Sequence, residues 1–506
     1  MSLKPNVPET FQNCLDAILE TRGISATQLA AMLGYKSKTT LLRILQGDAG
    51  LRCVGNVYKD LCCCEALRLT DQEEDRLHIA YEVELWGLDN YRARMEMWHL
   101  LRRNDAPSLP MELMTTCGET ITLQELLDAI VPEGVPGEMP VSSLEIMMLS
   151  GCYPNVMEQL AGLFERMGNR IRATQLFMLN NDTARTVRMI RNIMPVLGFH
   201  SYEAYYVYPS IIVPDPLYSG SGTGKVMILR AVLPDGKARE FQILMQGETS
   251  GVLLEADGIW NCWQQFTAGY LAQAVPLKVA VPAVTDYISL VENYLETERN
   301  RELLIYKGDV CFNNIPTDIL LRALMDSMAK DELAAESEYS VPQVLQKLRS
   351  VQEKRYQNQM TKRQPTHWVA SAAALYEFAR TGVQNDHFFA MRPFTVEERL
   401  RIFRILLDQV RQNPYFHLYL LLAEEEASYI PLEVLHIDGI GFQITSCGTD
   451  YRLTDGWTET TLTEETFCSL FREFFMEELI ARHTRPAAET ERVLEDIIRQ
   501  LQAQKN

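Results

Sequence analysis

PETFQNCLDAILETRGISATQLAAMLGYKSKTTLLRILQGDAG, residues 8–50, alternates apolar clusters with glycines at a spacing that sets the architecture of the amino-terminal region. Phe11, Leu15, Ile18 and Leu19 recur at helical intervals, and Gly23 is placed to end that helix with a left-handed cap. Ser25 suits the N-cap of a second short helix whose inner face is Leu29, Ala30 and Leu33. The small side chain of Ala30 lets the next helix cross closely. Gly34 supplies the turn, Ser37 is placed to cap a third helix with Leu41, Leu42 and Leu45 inward, and Gly47 closes it. Two short helices joined by a tight glycine turn describe a helix-turn-helix, whose second member fits the DNA major groove.

Charge singles out the same region. The 506 residues hold 48 Lys and Arg against 67 Asp and Glu, a formal charge of -19. Between positions 22 and 60 six cations (Arg22, Lys36, Lys38, Arg43, Arg52 and Lys59) face only Asp48 and Asp60. An island of +4 therefore sits on a body of -23. That distribution excludes a protein coating nucleic acid along its whole length, and it is what a local anion-binding surface requires. A composition of 47% hydrophobic and 23% charged residues is ordinary for folded domains. No run approaches the ~18 apolar residues of a membrane span, and MSLKPNVPETFQN lacks the apolar core of a signal peptide. A cytoplasmic protein with no membrane partner is expected.

Over about the first 65 residues the chain resembles the Cro/C1-type (XRE-family) helix-turn-helix regulators. Ile24-Ser25, Leu29-Ala30, Leu33-Gly34 and the run Leu41, Ile44, Gly47 carry the likeness. The resemblance implies double-stranded DNA as partner and a third helix that reads it. Lys38, Thr39, Arg43 and Gln46 lie away from the leucine face. Arg43 is placed for guanine O6/N7, Gln46 for adenine, and Thr39 for a base edge or thymine methyl. Lys36, Ser37 and Thr40 suit phosphates, which position a helix without reading sequence. One small head makes few contacts, so a homodimer is expected.

Helical periodicity continues to about residue 103, with a capping box at Thr70 and Glu73 and an apolar face of Trp86, Tyr91, Met95 and Trp98. That face is either intrachain core or a dimer seam. Four regions follow from the punctuation. Residues 1–103 form the head with its helical extension, and 104–200 a Pro-rich linker and a mostly helical segment. Residues 201–300 and 301–506 form two α+β modules of helix, β-meander and helix. PDGK (234–237) turns one hairpin, and helices are expected near 122–130, 367–380, 395–412, 463–482 and 487–503. The fold class is multidomain, mostly α with α+β.

Catalytic signals are weak. Eleven cysteines, an odd number, include no Cys-x-x-Cys pair, and Cys62-Cys63-Cys64 fits small residues on a buried helix better than a metal or redox site. SGSGTGKV (219–226) has Ser219 and Val226 where a phosphate loop needs Gly and Ser or Thr, and it precedes a strand. The eight histidines form no His-Glu-x-x-His. Neither a metal, a cofactor nor an enzymatic activity is expected. Asp386, His387 and Arg392, among aromatics between two helices, are the candidate contacts for an anionic small-molecule or peptide effector, with Trp260 and Trp263 as a second candidate ligand box. A sequence-specific transcriptional regulator with a large effector or partner region is the leading reading. A protein-interaction scaffold, and an enzyme with a DNA-binding head centred on Asp386 and His387, are the alternatives.

Overall fold

Apolar residues four and seven apart on successive short helices have only each other to bury against, and they do so here. In the computed structural model the described residues are 9–102, 109–132, 141–149, 153–179, 182–208, 225–281, 284–326, 341–384, 391–426, 432–446 and 457–505. The chain divides into two units, residues 1–97 with 182–185, and 98–181 with 186–506. The first unit contains α1 (Phe11–Arg22), α2 (Ala26–Met32), α3 (Thr39–Leu45), α4 (Leu51–Cys62) and α5 (Asp71–Trp86). It also holds most of α6 (Leu88–Leu101), since the division falls after Met97. Phe11, Leu15, Ile18, Leu29, Leu41, Ile44, Val57 and Leu77 form its buried core. Each such side chain contributes roughly 1.5–3 kcal/mol on burial. Tyr58 stacks on Tyr81 with ring centroids 4.4 Å apart, tying α4 to α5.

The cysteine run differs from expectation. α4 ends at Cys62, so the run leaves the helix rather than lining it: Cys62 and Cys63 are exposed and Cys64 is half-buried. No cluster of His, Cys, Asp and Glu able to hold a metal occurs among the described residues.

The second unit is built on two sheets. Its amino-terminal part comprises β1 (Glu112–Thr115), β2 (Thr120–Thr122), α7 (Leu123–Ile130), β3 (Ser143–Leu149), α8 (Pro154–Met167), β4 (Ile171–Met178), most of α9 (Thr183–Ile193) and β5 (Tyr202–Val207). It continues through β6 (Lys225–Val232), β7 (Ala238–Met245), β8 (Ser250–Glu255), α10 (Ile259–Leu271) and β9 (Val275–Pro276). The strand order is β2-β1-β8-β7-β6-β3-β4-β5-β9. The remainder comprises β10 (Lys278–Val281), α11 (Val284–Asn300), β11 (Leu303–Tyr306), α12 (Thr317–Met325), α13 (Val341–Thr361), β12 (Thr366–Ala370), α14 (Ala372–Thr381) and α15 (Val396–Gln412). It ends with β13 (Phe416–Leu420), α16 (Ala423–Glu426), β14 (Leu432–Ile437), β15 (Gly441–Ser446), β16 (Trp457–Leu462), α17 (Glu465–Glu473), a π-helical turn (Phe474–Ile480), α18 (Ala481–His483) and α19 (Ala487–Lys505). The order there is β10-β16-β15-β14-β11-β12-β13.

The same connectivity is used twice. β3, β4 and β5 run parallel, β6 turns back beside β3, and β7 and β8 complete a meander. β11, β12 and β13 repeat the parallel set, β14 turns back beside β11, and β15 and β16 complete the second meander. The two α+β modules expected from the meanders are thus present. The stretch expected to be mostly helical before Gly198 contains β3 and β4, and the helix expected at 367–380 begins as β12. These strands are central and parallel, buried on both faces, so their sequences lack the alternation that marks a half-exposed strand.

One extended segment edges both sheets. Tyr205 and Tyr206 pair with Pro276 and Val275, and Lys278 through Val281 pair with β16. Between them the Leu277 amide donates to the Ala204 carbonyl, and the Leu277 carbonyl accepts from Thr461, both at 2.8 Å. The buried Lys278 ammonium donates to the carbonyls of Phe199 and Tyr202, and desolvation lowers its pKa to about 7.

Gly382 closes α14 at φ 71°, where a Cβ would lie 2.2 Å from the Phe394 carbonyl oxygen. Gly382→Ala is therefore expected to destabilise this half by about 2–4 kcal/mol, combining left-handed strain with a backbone clash. Urea denaturation followed by circular dichroism measures the drop in midpoint.

Candidate nucleic-acid interface

The turn between α2 and α3 is fixed by backbone geometry. Gly34 sits at φ 72°, and the Tyr35 amide donates to the Ala30 carbonyl (2.8 Å) while the Gly34 amide donates to Ala31 (3.2 Å). This paired closure satisfies the last carbonyls of α2 and requires the left-handed conformation that glycine adopts without strain. Ser25 and Gln28 form the capping box that starts α2. Ser37 binds one residue from the expected cap position: its hydroxyl accepts from the Thr39 amide at 3.2 Å, while Lys38 occupies the cap with no side-chain bond.

α3 has only seven residues, about 10 Å of helix, which spans roughly three base pairs. Leu41 and Ile44 are its buried anchors, with Leu42 and Leu45 half-buried. Gln12 of α1 donates to the Leu45 carbonyl at 2.7 Å and fixes the far end. The outward face carries the expected set: Lys36, Ser37, Lys38, Thr39, Arg43 and Gln46 are exposed and Thr40 is half-buried. The Arg43 guanidinium rests on the Asp48 carbonyl at 3.1 Å, an exposed contact that a stronger acceptor can replace.

Folding brings two further cations of the charge island, Arg52 and Lys59, to the rim of one cleft. A cleft of about 800 Å³ lies beside α3, lined by Tyr35 and Thr40 on one side and by Gly50, Arg52, Asn56 and Lys59 of the α4 region on the other. Arg52 and Lys59 are exposed, and α4 starts at Gly50 without a side-chain cap. Two exposed cations thus border the same concavity. The Tyr35 hydroxyl donates to Asp60, which leaves that carboxylate partnered at the rim; burial and Asp60 together raise the Tyr35 pKa.

Arg22 does not belong to this surface. Its guanidinium pairs with Glu73 and donates to the carbonyls of Leu67 and Arg68, so it is a strut between α1 and α5. Lys36, Lys38, Arg43, Arg52 and Lys59 are the cations of the charge island that stay exposed.

No protein-family model matches the chain, and no curated protein matches it. Among solved structures, the polyphosphate kinase from Porphyromonas gingivalis aligns with a TM-score of 0.20 at 9% identity, covering 76% of this chain and 51% of that one. The chain spans about half the length of that structure. A likeness at this level says nothing about shared chemistry.

The other candidate residues are described only in part. Asp386, His387 and positions 219–224 lie outside the described residues. Arg392 is held by Asp326 (2.7 Å) and by both carboxylate oxygens of Glu398 (2.8 and 2.9 Å), which makes it a clamp on the start of α15. Trp260 and Trp263 pack on β7: the Trp260 amide donates to Glu240 and the Trp263 indole to Gln242.

The Arg22 hydrogen bonds hold the Glu73 carboxyl down to about 2, against an ordinary value of 4.5. A depressed carboxyl stabilises the fold fully above its ordinary range, and that contribution disappears as pH falls from about 4.5 to about 2. The thermal midpoint of the first unit should therefore fall across this window, and Glu73→Gln should flatten the slope while lowering the midpoint at pH 7. Melting curves of both proteins at a series of pH values test this.

Proposed function

We propose that the chain is a sequence-specific DNA-binding transcriptional regulator of the Cro/C1-like helix-turn-helix type. The observation that carries this reading is the division of labour on α3. Leu41 and Ile44 are buried, while Lys38, Thr39, Arg43 and Gln46 stand exposed on the opposite face of a helix short enough for one groove. Arg43 and Gln46 read base edges, and Lys36, Ser37, Thr40, Arg52 and Lys59 hold the flanking phosphates. The acidic remainder keeps the protein off DNA at large and supplies the region where a small-molecule or peptide effector, or a protein partner, acts. No helix among the described residues is long and apolar enough to cross a membrane.

Two heads on a homodimer, about one DNA turn apart, would meet an inverted repeat. An effector then works by binding the DNA-competent and DNA-incompetent arrangements with different affinity.

Sequencing duplexes captured by the purified protein defines the site. Fluorescence anisotropy on that site should then show Arg43→Ala weakened by ~1–3 kcal/mol with relaxed selectivity. Lys38→Ala should lose affinity evenly across sequences and reduce the salt slope by about one. Failure to enrich any duplex, or full retention of binding by both variants, overturns the reading.

A further inference from the structure

Arg52, Asn56 and Lys59 recur at intervals of four and three on α4, which places them on one side of the helix, and all three line the cleft beside α3. Elsewhere in the first unit Arg22 is committed to Glu73 and Arg76 to Glu9. Arg52 and Lys59 are different: both are exposed, and among the described residues neither is paired with a carboxylate. The one acid lining the cleft, Asp60, is engaged by the Tyr35 hydroxyl. A chain of formal charge -19 thus keeps two uncommitted cations in one concavity, separated by seven residues or about 10 Å along the helix axis.

Size and lining narrow what those cations can meet. The cleft holds about 800 Å³, within the span of small-molecule sites, and a bare inorganic anion fills only a small part of it. Its wall is mixed. The buried Val57 and the half-buried Tyr35 supply apolar surface, while the Thr40 hydroxyl and the Asn56 amide offer uncharged hydrogen-bonding groups. Apolar wall, neutral donors and cations together suit an organic molecule that carries anionic groups. The planar fork of Arg52 matches phosphoryl oxygens with two parallel hydrogen bonds, and Lys59 adds a point charge.

We propose that the cleft between α3 and α4 binds a phosphorylated small molecule of nucleotide size. Its phosphoryl oxygens lie on Arg52 and Lys59, and its organic part lies against Tyr35, Thr40 and Val57. The two cations are the ones assigned above to flanking phosphates of a duplex, so the small molecule and DNA exclude each other from this cleft. That competition, and with it control of the head by a phosphorylated effector, rests on the regulator reading; the binding itself does not. By linkage, each ligand weakens the other by the same factor.

The cleft contains its own reporter, because Cys53 lines it and is half-buried, while Cys262 is exposed and lies outside it. Maleimide labelling of the full chain without DNA is followed at both thiols by peptide mass spectrometry. Adenosine diphosphate, guanosine diphosphate and fructose 1,6-bisphosphate are added in turn at constant ionic strength. At roughly ten times its dissociation constant, at least one of them should slow labelling of Cys53 about tenfold and leave Cys262 unchanged. Adenosine, which lacks the phosphates, should not protect. Arg52→Ala with Lys59→Ala should abolish protection with far-UV circular dichroism unchanged, and either Arg52→Gln or Lys59→Gln alone should weaken it if the double variant folds poorly. No protection by any of the three compounds, or protection that survives these substitutions, overturns the proposal. A duplex that protects Cys53 where the three compounds do not also overturns it and leaves the regulator reading intact. Protection by a small phosphate in a protein that binds no duplex leaves this site standing and refutes the regulator reading.

Discussion

A seven-residue helix has no independent existence in water, because nucleating a single turn costs more than so few hydrogen bonds return. α3 exists because Leu41 and Ile44 enter a core assembled by α1, α2, α4 and α5. That constraint fixes which side chains can face outward. With Leu41 and Ile44 committed inward, positions 39, 43 and 46 have no apolar neighbour to cover them. The exposed Arg43 and Gln46 are thus a consequence of how a short helix is held, and the function proposed for the chain uses what the core leaves over.

Those features were legible because their causes are local. The left-handed cap at Gly23, the N-cap at Ser25, the capping box at Thr70 and the 11-15-18-19 periodicity each involve residues within one or two turns. Interactions between residues distant in sequence were not legible. Arg22 counts as a cation in any sequence window, yet its partner lies 51 positions away and removes it from the basic surface. Arg392 looked like a ligand contact among aromatics until Asp326, 66 residues earlier, closed on it. The cleft between α3 and α4 has the same origin: Arg52 and Lys59 contributed to the charge island, but only packing shows that they border the same concavity as Thr40.

The body was legible in part, for a related reason. The β6–β7 hairpin announces itself by the turn at PDGK and the partial alternation of β7. The parallel strands beside it do not, because a strand covered on both faces reads as an uninterrupted apolar run. THWVA is buried at every position, and SLEIMML alternates only over its first four residues before becoming an apolar run. Conversely, the tryptophans of α10 look like a ligand box in one dimension and pack as a half-covered helix in three.

The segment from Val275 to Val281 has a mechanical consequence. Its single residue Leu277 gives its amide to one sheet and its carbonyl to the other. Peeling either border therefore strips a bond from its neighbour, and the buried ammonium at Lys278 loses its carbonyl cradle at the same moment. The two halves of the body are stitched into one cooperative unit at this seam, so local breathing in one is penalised by the other. Separating the two sheets at this segment therefore breaks hydrogen bonds on both sides of Leu277.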